Sequence, residues 1–171
     1  MRALLLFLPL SFLAAQNTTP VENEFVRVVV VADKPVAKPG SLHEHKQNRV
    51  MIYLDPGDIT IRYADGRVDN QHWKAGDIAW SPAAGMHTSQ NVTASPTAVT
   101  RIVEMEIRTP AVASFTAMKN SVIDNAQVRV YKSARAPAAG KHFIAVDTKA
   151  AAVVWDKLPD GAGPFVITEL K

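Results

Sequence analysis

The sequence predicts an all-β protein of sandwich or barrel type, and three observations carry that prediction. Short runs rich in β-branched and aromatic residues recur through Val21–Arg108, roughly seven or eight of them. Turn-forming residues separate these runs about every 8–12 positions, the spacing of antiparallel sandwiches and barrels. Helical periodicity is almost absent: a short piece around Ala111–Lys119 is the single helix candidate.

The elements follow in order. MRALLLFLPLSFLAAQ sets Arg2 ahead of an apolar run, Ala3–Leu13, with small Ala14 and Ala15 after it. That is the order of a secretory signal peptide, residues 1–15, and the run is too short to span a bilayer. An uncleaved anchor, or a start codon placed too early, is the alternative. FVRVVVV (Phe25–Val31) reads as a strand. RVMIYL (Arg49–Leu54) is the next, broken by Pro56-Gly57. DITIRY (Asp58–Tyr63) alternates apolar and polar residues and ends at Asp65-Gly66, a hairpin signal. DIAW (Asp77–Trp80) follows Gly76 and stops at Ser81-Pro82. Met86–Val92 leads to a turn at Ser95-Pro96, and Ala98–Ile107 is a long strand. Asp55, Asp58 and Asp77 fall at turns, where short acceptors hold backbone amides.

The 171 residues suit one domain with room for an extension, and 47% hydrophobic against 20% charged residues suits a protein with a real core. The net charge of +3 is small, and Lys and Arg never cluster, so no nucleic-acid partner is expected. The absence of cysteine removes disulfides, thiolate metal sites and a cysteine nucleophile. An exported, cysteine-free chain points to a periplasmic or secreted location, with no membrane partner once the leader is cleaved.

An internal echo divides the chain. VENEFVRV (Val21–Val28) resembles IDNAQVRV (Ile123–Val130), and a glycine follows each, Gly40 and Gly140. RVMIYLD and AAVVWD then read as matching apolar strands ending in aspartate. The organisation expected is a barrel over 21–108 and a degenerate half-repeat over 122–171, packed on the barrel or at the interface of a homodimer. In that alignment Ile144 and Val146 take the places of His43 and His45, and His142 is a surface or packing residue.

The chemistry begins at HEH. Residues i and i+2 of a strand share a face, so His43 and His45 project together, either as half of a transition-metal site or as two exposed strand residues. With GDIAWSPAAGMHTSQN (Gly76–Asn91), this stretch resembles the two motifs of the cupin superfamily. Gly76, Pro82, His87 and Asn91 match the second motif in all three intervals, while Gly85 is shifted by one. His43, His45 and Gly57 match the first. The resemblance covers about Val21–Arg108. It implies a cupin-type double-stranded β-helix, a jelly-roll barrel, with a C-terminal partial β repeat. It also implies that His43, His45 and His87 converge on a divalent metal: Fe, Mn, Zn or Ni.

One residue of the pattern is missing. The family's glutamate ligand falls on Arg49 or Val50. The Gly57 spacing favours Val50, which puts Val50, Ile52 and Leu54 on one inward apolar face; a longer turn at Pro56 favours Arg49. Val50 removes a ligand, whereas an inward Arg49 sets a cation against the metal and favours an anion. Gln47, on the histidine face, is a further oxygen donor. The pocket candidates are Gln47, Arg49, Trp80 and Asn91, with Trp80 also suited to barrel packing. Glu104 and Glu106 share a strand face expected to meet water, and His72 is expected at the surface. Some cupin dioxygenases use three histidines on iron, so the resemblance implies a dioxygenase-type oxidoreductase acting on a small polar organic molecule. The alternatives are a metal-free barrel for a small carboxylate or sugar acid, and a metal-dependent isomerase, decarboxylase or lyase.

Overall fold

β-Branched runs pair as strands throughout. In the computed structural model, which describes residues 16–95 and 97–171, there is no helix among the described residues, and the strands form three antiparallel sheets. The leader expected at 1–15 lies outside the described residues, as does Pro96. The strands of the first unit are β1 (Thr18–Glu22), β2 (Val26–Asp33), β3 (His43–His45), β4 (Asn48–Tyr53), β5 (Gly57–Tyr63), β6 (Val68–Trp73), β7 (Ile78–Ser81), β8 (Ala84–Asn91) and β9 (Thr100–Ile107). They form a five-stranded sheet, β1-β2-β9-β4-β7, facing a four-stranded sheet, β3-β8-β5-β6. Between these sheets lies a cavity of ≈ 1250 Å³. The β5–β6 hairpin turns at Gly66, whose φ of 90° lies in the region that favours glycine. At Gly57 an added Cβ would stand 2.7 Å from the Trp73 ring, so only glycine admits that ring.

The second unit comprises β10 (Ile123–Asp124), β11 (Val128–Ser133), β12 (Phe143–Asp147), β13 (Ala152–Trp155) and β14 (Phe165–Leu170). Its sheet runs β10-β11-β14-β12-β13, which repeats the order of the first five-stranded sheet. The register repeats too. Val28 and Val50 both pair with Met105, as Val130 and Ile144 both pair with Thr168. Trp80 faces Val50 as Trp155 faces Ile144. The turns use the same chemistry: Asn23 Oδ1 accepts from the Phe25 and Val26 amides, and Asn125 Oδ1 from those of Gln127 and Val128. Arg27 pairs with Glu22 and Glu106, and Arg129 with Asp124 and Glu169. The half-repeat is therefore one whole sheet of a jelly roll. β12 passes directly to β13, and among the described residues no counterpart of β3-β8-β5-β6 covers it.

This corrects two details of the expected alignment. Ile144 and Val146 match Val50 and Ile52 of β4, not the histidines, whose sheet has no second copy. The AVVW strand matches β7, not β4. Short β-branched strands resemble one another too closely for composition to choose between them.

The two five-stranded sheets pack face to face. Val26, Val28, Val50, Ile52, Val103 and Met105 join Val128, Val130, Ile144, Val146 and Val166 in one buried cluster. The contacts at its rim are near-symmetric. Phe25 stacks on His142 at 4.7 Å, while Asn48 Nδ2 donates to Gln127 Oε1 at 2.6 Å. Gln127 is the counterpart of Phe25, and His142 of Asn48.

The connection expected as a helix, Ala111–Lys119, is irregular. It runs across the second sheet and bonds to it: the Val112 amide donates to the Ala126 carbonyl, and Arg129 Nη2 donates to the Thr116 carbonyl at 2.7 Å. A segment of this length is too short for a helix to outweigh such partners.

Candidate metal centre

Alternation places the site. On β8, His87 and Ser89 face the cavity; on β5, Ile61 and Tyr63; on β4, Arg49 and Met51. β3 brings His43 opposite His87, and a register shift before His45, which pairs with Ala84, re-aims the second imidazole. The three rings lie 4.5–5.2 Å apart by centroid, and their ligand atoms all lie within 4.8 Å of one another. His87 is 3% exposed; His43 and His45 are half-buried.

Hydrogen bonds set the imidazoles. Nδ1 of His43 donates to the Ser41 carbonyl at 2.9 Å, and Nδ1 of His87 to the Gly85 carbonyl at 2.7 Å. Both rings therefore present the Nε2 lone pair, the usual way a metal-binding histidine is oriented from behind. His45 differs, because its Nε2 accepts from Arg49 Nη1 at 2.9 Å. Burial, the Arg49 cation and the other two histidines lower its pKa to about 4, so His45 is neutral at ordinary pH, with its Nε2 lone pair held by Arg49. The donor set fits a divalent transition ion, with one cation in competition for one ligand.

Arg49 is the residue that faces inward. Its side chain is 9% exposed, and it donates to Glu104 Oε2 at 3.3 Å and Ser81 Oγ at 2.9 Å. Val50 and Ile52 point the other way, into the core between the five-stranded sheets, and this corrects the inward face expected for Val50. Every residue from Arg49 to Tyr53 is buried, so the apolar face and the cavity face cannot be told apart by burial alone. The chain bends at Lys46-Gln47 as it crosses from one sheet to the other, and this breaks the alternation that had put Gln47 beside the histidines. Gln47 is exposed and does not line the cavity. Trp80 borders the cavity but packs against the inter-sheet core. Asn91 is buried and lines the cavity, and its Oδ1 accepts from the Thr93 amide.

Three residues join the site that sequence reasoning did not bring there. Glu104 meets Arg49 rather than water, correcting the solvent-facing expectation, and Glu106 bonds Arg27. Ser81 anchors Nη2. The Tyr63 ring lies 5.5 Å from that of His87, with the Arg67 guanidinium 3.6 Å above it. Alternation from Ile59 through Ile61 was the signal that could have found Tyr63. His72 is exposed and pairs with Asp58.

Two sheets in jelly-roll order, a cavity between them and inward histidines on β3 and β8 decide the fold. It is a cupin-type double-stranded β-helix. No family model matches the chain, and no curated protein matches it. Solved structures similar to it include a cupin domain from Bordetella pertussis Tohama I, 21% identical, which covers 56% of this chain and 94% of its own, with a TM-score of 0.47. An RmlC-like cupin from Methanocaldococcus jannaschii is 17% identical, covering 56% of this chain and 84% of its own at a TM-score of 0.41. A cupin superfamily protein from Desulfitobacterium hafniense DCB-2 is 12% identical, covering 54% and 75% at 0.40.

Proposed function

We propose that the barrel binds one divalent transition metal through His43, His45 and His87 and holds a small polar organic molecule beside it, as a dioxygenase-type oxidoreductase. The observation that carries this reading is the pair of carbonyl-anchored imidazoles: His43 and His87 offer Nε2 from fixed orientations toward neutral His45. Bound iron would supply the activation of oxygen, and the protein's part is positioning. Tyr63 and Met51 line the cavity that would hold the organic molecule. Export through residues 1–15 belongs to the same proposal. A second reading, a metal-free barrel for a small carboxylate or sugar acid, is favoured by Arg49 standing on His45 Nε2.

Metal content decides between them. Mature protein purified without chelator and reloaded with Fe(II), Mn(II), Zn(II) or Ni(II) is expected to hold about one ion per chain by mass spectrometry. His87→Ala is expected to lose it, and the iron form is then screened for oxygen consumption. No ion retained at any loading would sink the metal reading.

A further inference from the structure

Arg49 stands where the family pattern has a carboxylate, and its own bonding is incomplete. An arginine side chain carries five N–H donors. Nη1 spends its two on His45 Nε2 and Glu104 Oε2, and Nη2 spends one on Ser81 Oγ. The N–H of Nε and one on Nη2 are left, and Nε is buried without a partner. These adjacent nitrogens form one edge of the guanidinium, the fork that receives a planar carboxylate through two parallel hydrogen bonds. Glu104, at 3.3 Å from a single nitrogen, Nη1, leaves those two N–H groups without a partner.

We propose that the molecule held in the barrel is a small organic carboxylate docked on Arg49, and that it and the metal bind cooperatively. This rests on the metal reading above. Without ligand, Arg49 presses a cation against the lone pair the metal needs. A carboxylate neutralises that cation and draws its N–H groups away from His45 Nε2. A metal on His45 in turn deprives Arg49 of an acceptor and leaves it short of a partner the carboxylate supplies. Each ligand then raises the affinity for the other by the same factor.

The test is calorimetric titration of Co(II) into the metal-stripped full chain, alone and with saturating acetate, acetamide or sulfate. Acetate is expected to tighten cobalt binding about ten-fold. Acetamide, of like size and neutral, is expected to do little; sulfate, which the same fork accepts, tests whether the edge selects a carboxylate. In Arg49→Gln the acetate effect is expected to vanish; the acetate–acetamide comparison on the unaltered chain stands even where that variant does not fold. Equal cobalt affinity in acetate and acetamide would overturn the cooperativity and leave the metal reading intact. Sulfate matching acetate would overturn the carboxylate. No cobalt binding in any buffer would overturn both readings together.

Discussion

Arg49 and Val50 are neighbours, both buried, with opposite tasks. Arg49 meets histidine and glutamate in the cavity; Val50, fully buried, meets the second sheet. The histidines and their partner His87 were legible in the sequence because strand alternation and motif spacing fix which side chains converge. Which neighbour fills the glutamate's place was not, because RVMIYL is buried on both faces and a one-residue slip exchanges them. A pair of substitutions tests the register. Arg49→Glu adds an anionic donor and removes a cation, so divalent-metal binding is expected to tighten by about ten-fold or more. Val50→Glu puts an unpaired charge between two apolar sheets and is expected to destabilise by several kcal/mol with no gain in metal affinity. Metal titration and thermal melts of both variants read the two effects. Tighter metal in Val50→Glu would reverse the assignment.

At the scale of elements, the repeat was legible where side-chain chemistry is specific and hidden where it is not. The Asn23 and Asn125 turns and their flanking Arg27 and Arg129 announce themselves, since the same acceptor geometry demands the same residue. β12 and β13 did not, because removal of the intervening strands leaves nothing but similar apolar runs to align. Equivalence also exposes a flaw. Thr168 of β14 occupies the position of Met105 in β9, fully buried, and its Oγ1 has no hydrogen-bond partner. A buried, unpaired hydroxyl costs about 1–3 kcal/mol, and valine has nearly the same shape. Thr168→Val is therefore expected to raise stability by about 1–2 kcal/mol in urea unfolding, with metal binding unchanged. A loss of stability would mean that the hydroxyl has a partner the repeat does not account for.

Across the whole molecule, the half-repeat has no copy of the histidine sheet among the described residues and shares the packing face. A five-stranded sheet that closes one side of the barrel needs cover on its outer, apolar face. Here a second sheet of the same strand order supplies it within one chain, through a shared buried core and near-equivalent rim contacts. Two sheets that share one core cannot unfold independently, because parting them exposes Val28, Val50 and Met105 together with Val130 and Ile144. Ile144→Ala, made in the half-repeat and outside the histidine cluster, is expected to cost about 2–5 kcal/mol. The loss is expected to fall on the barrel as much as on the half-repeat. Amide exchange in β5, which lies in the histidine sheet, and in β12 would read the two parts separately. Both are expected to lose protection at the same urea concentration, shifted together in the variant. Early loss in β12 with β5 unmoved would mean that the second sheet merely leans on a barrel stable without it. Joint loss would make the half-repeat part of the scaffold that holds His43, His45 and His87 in place.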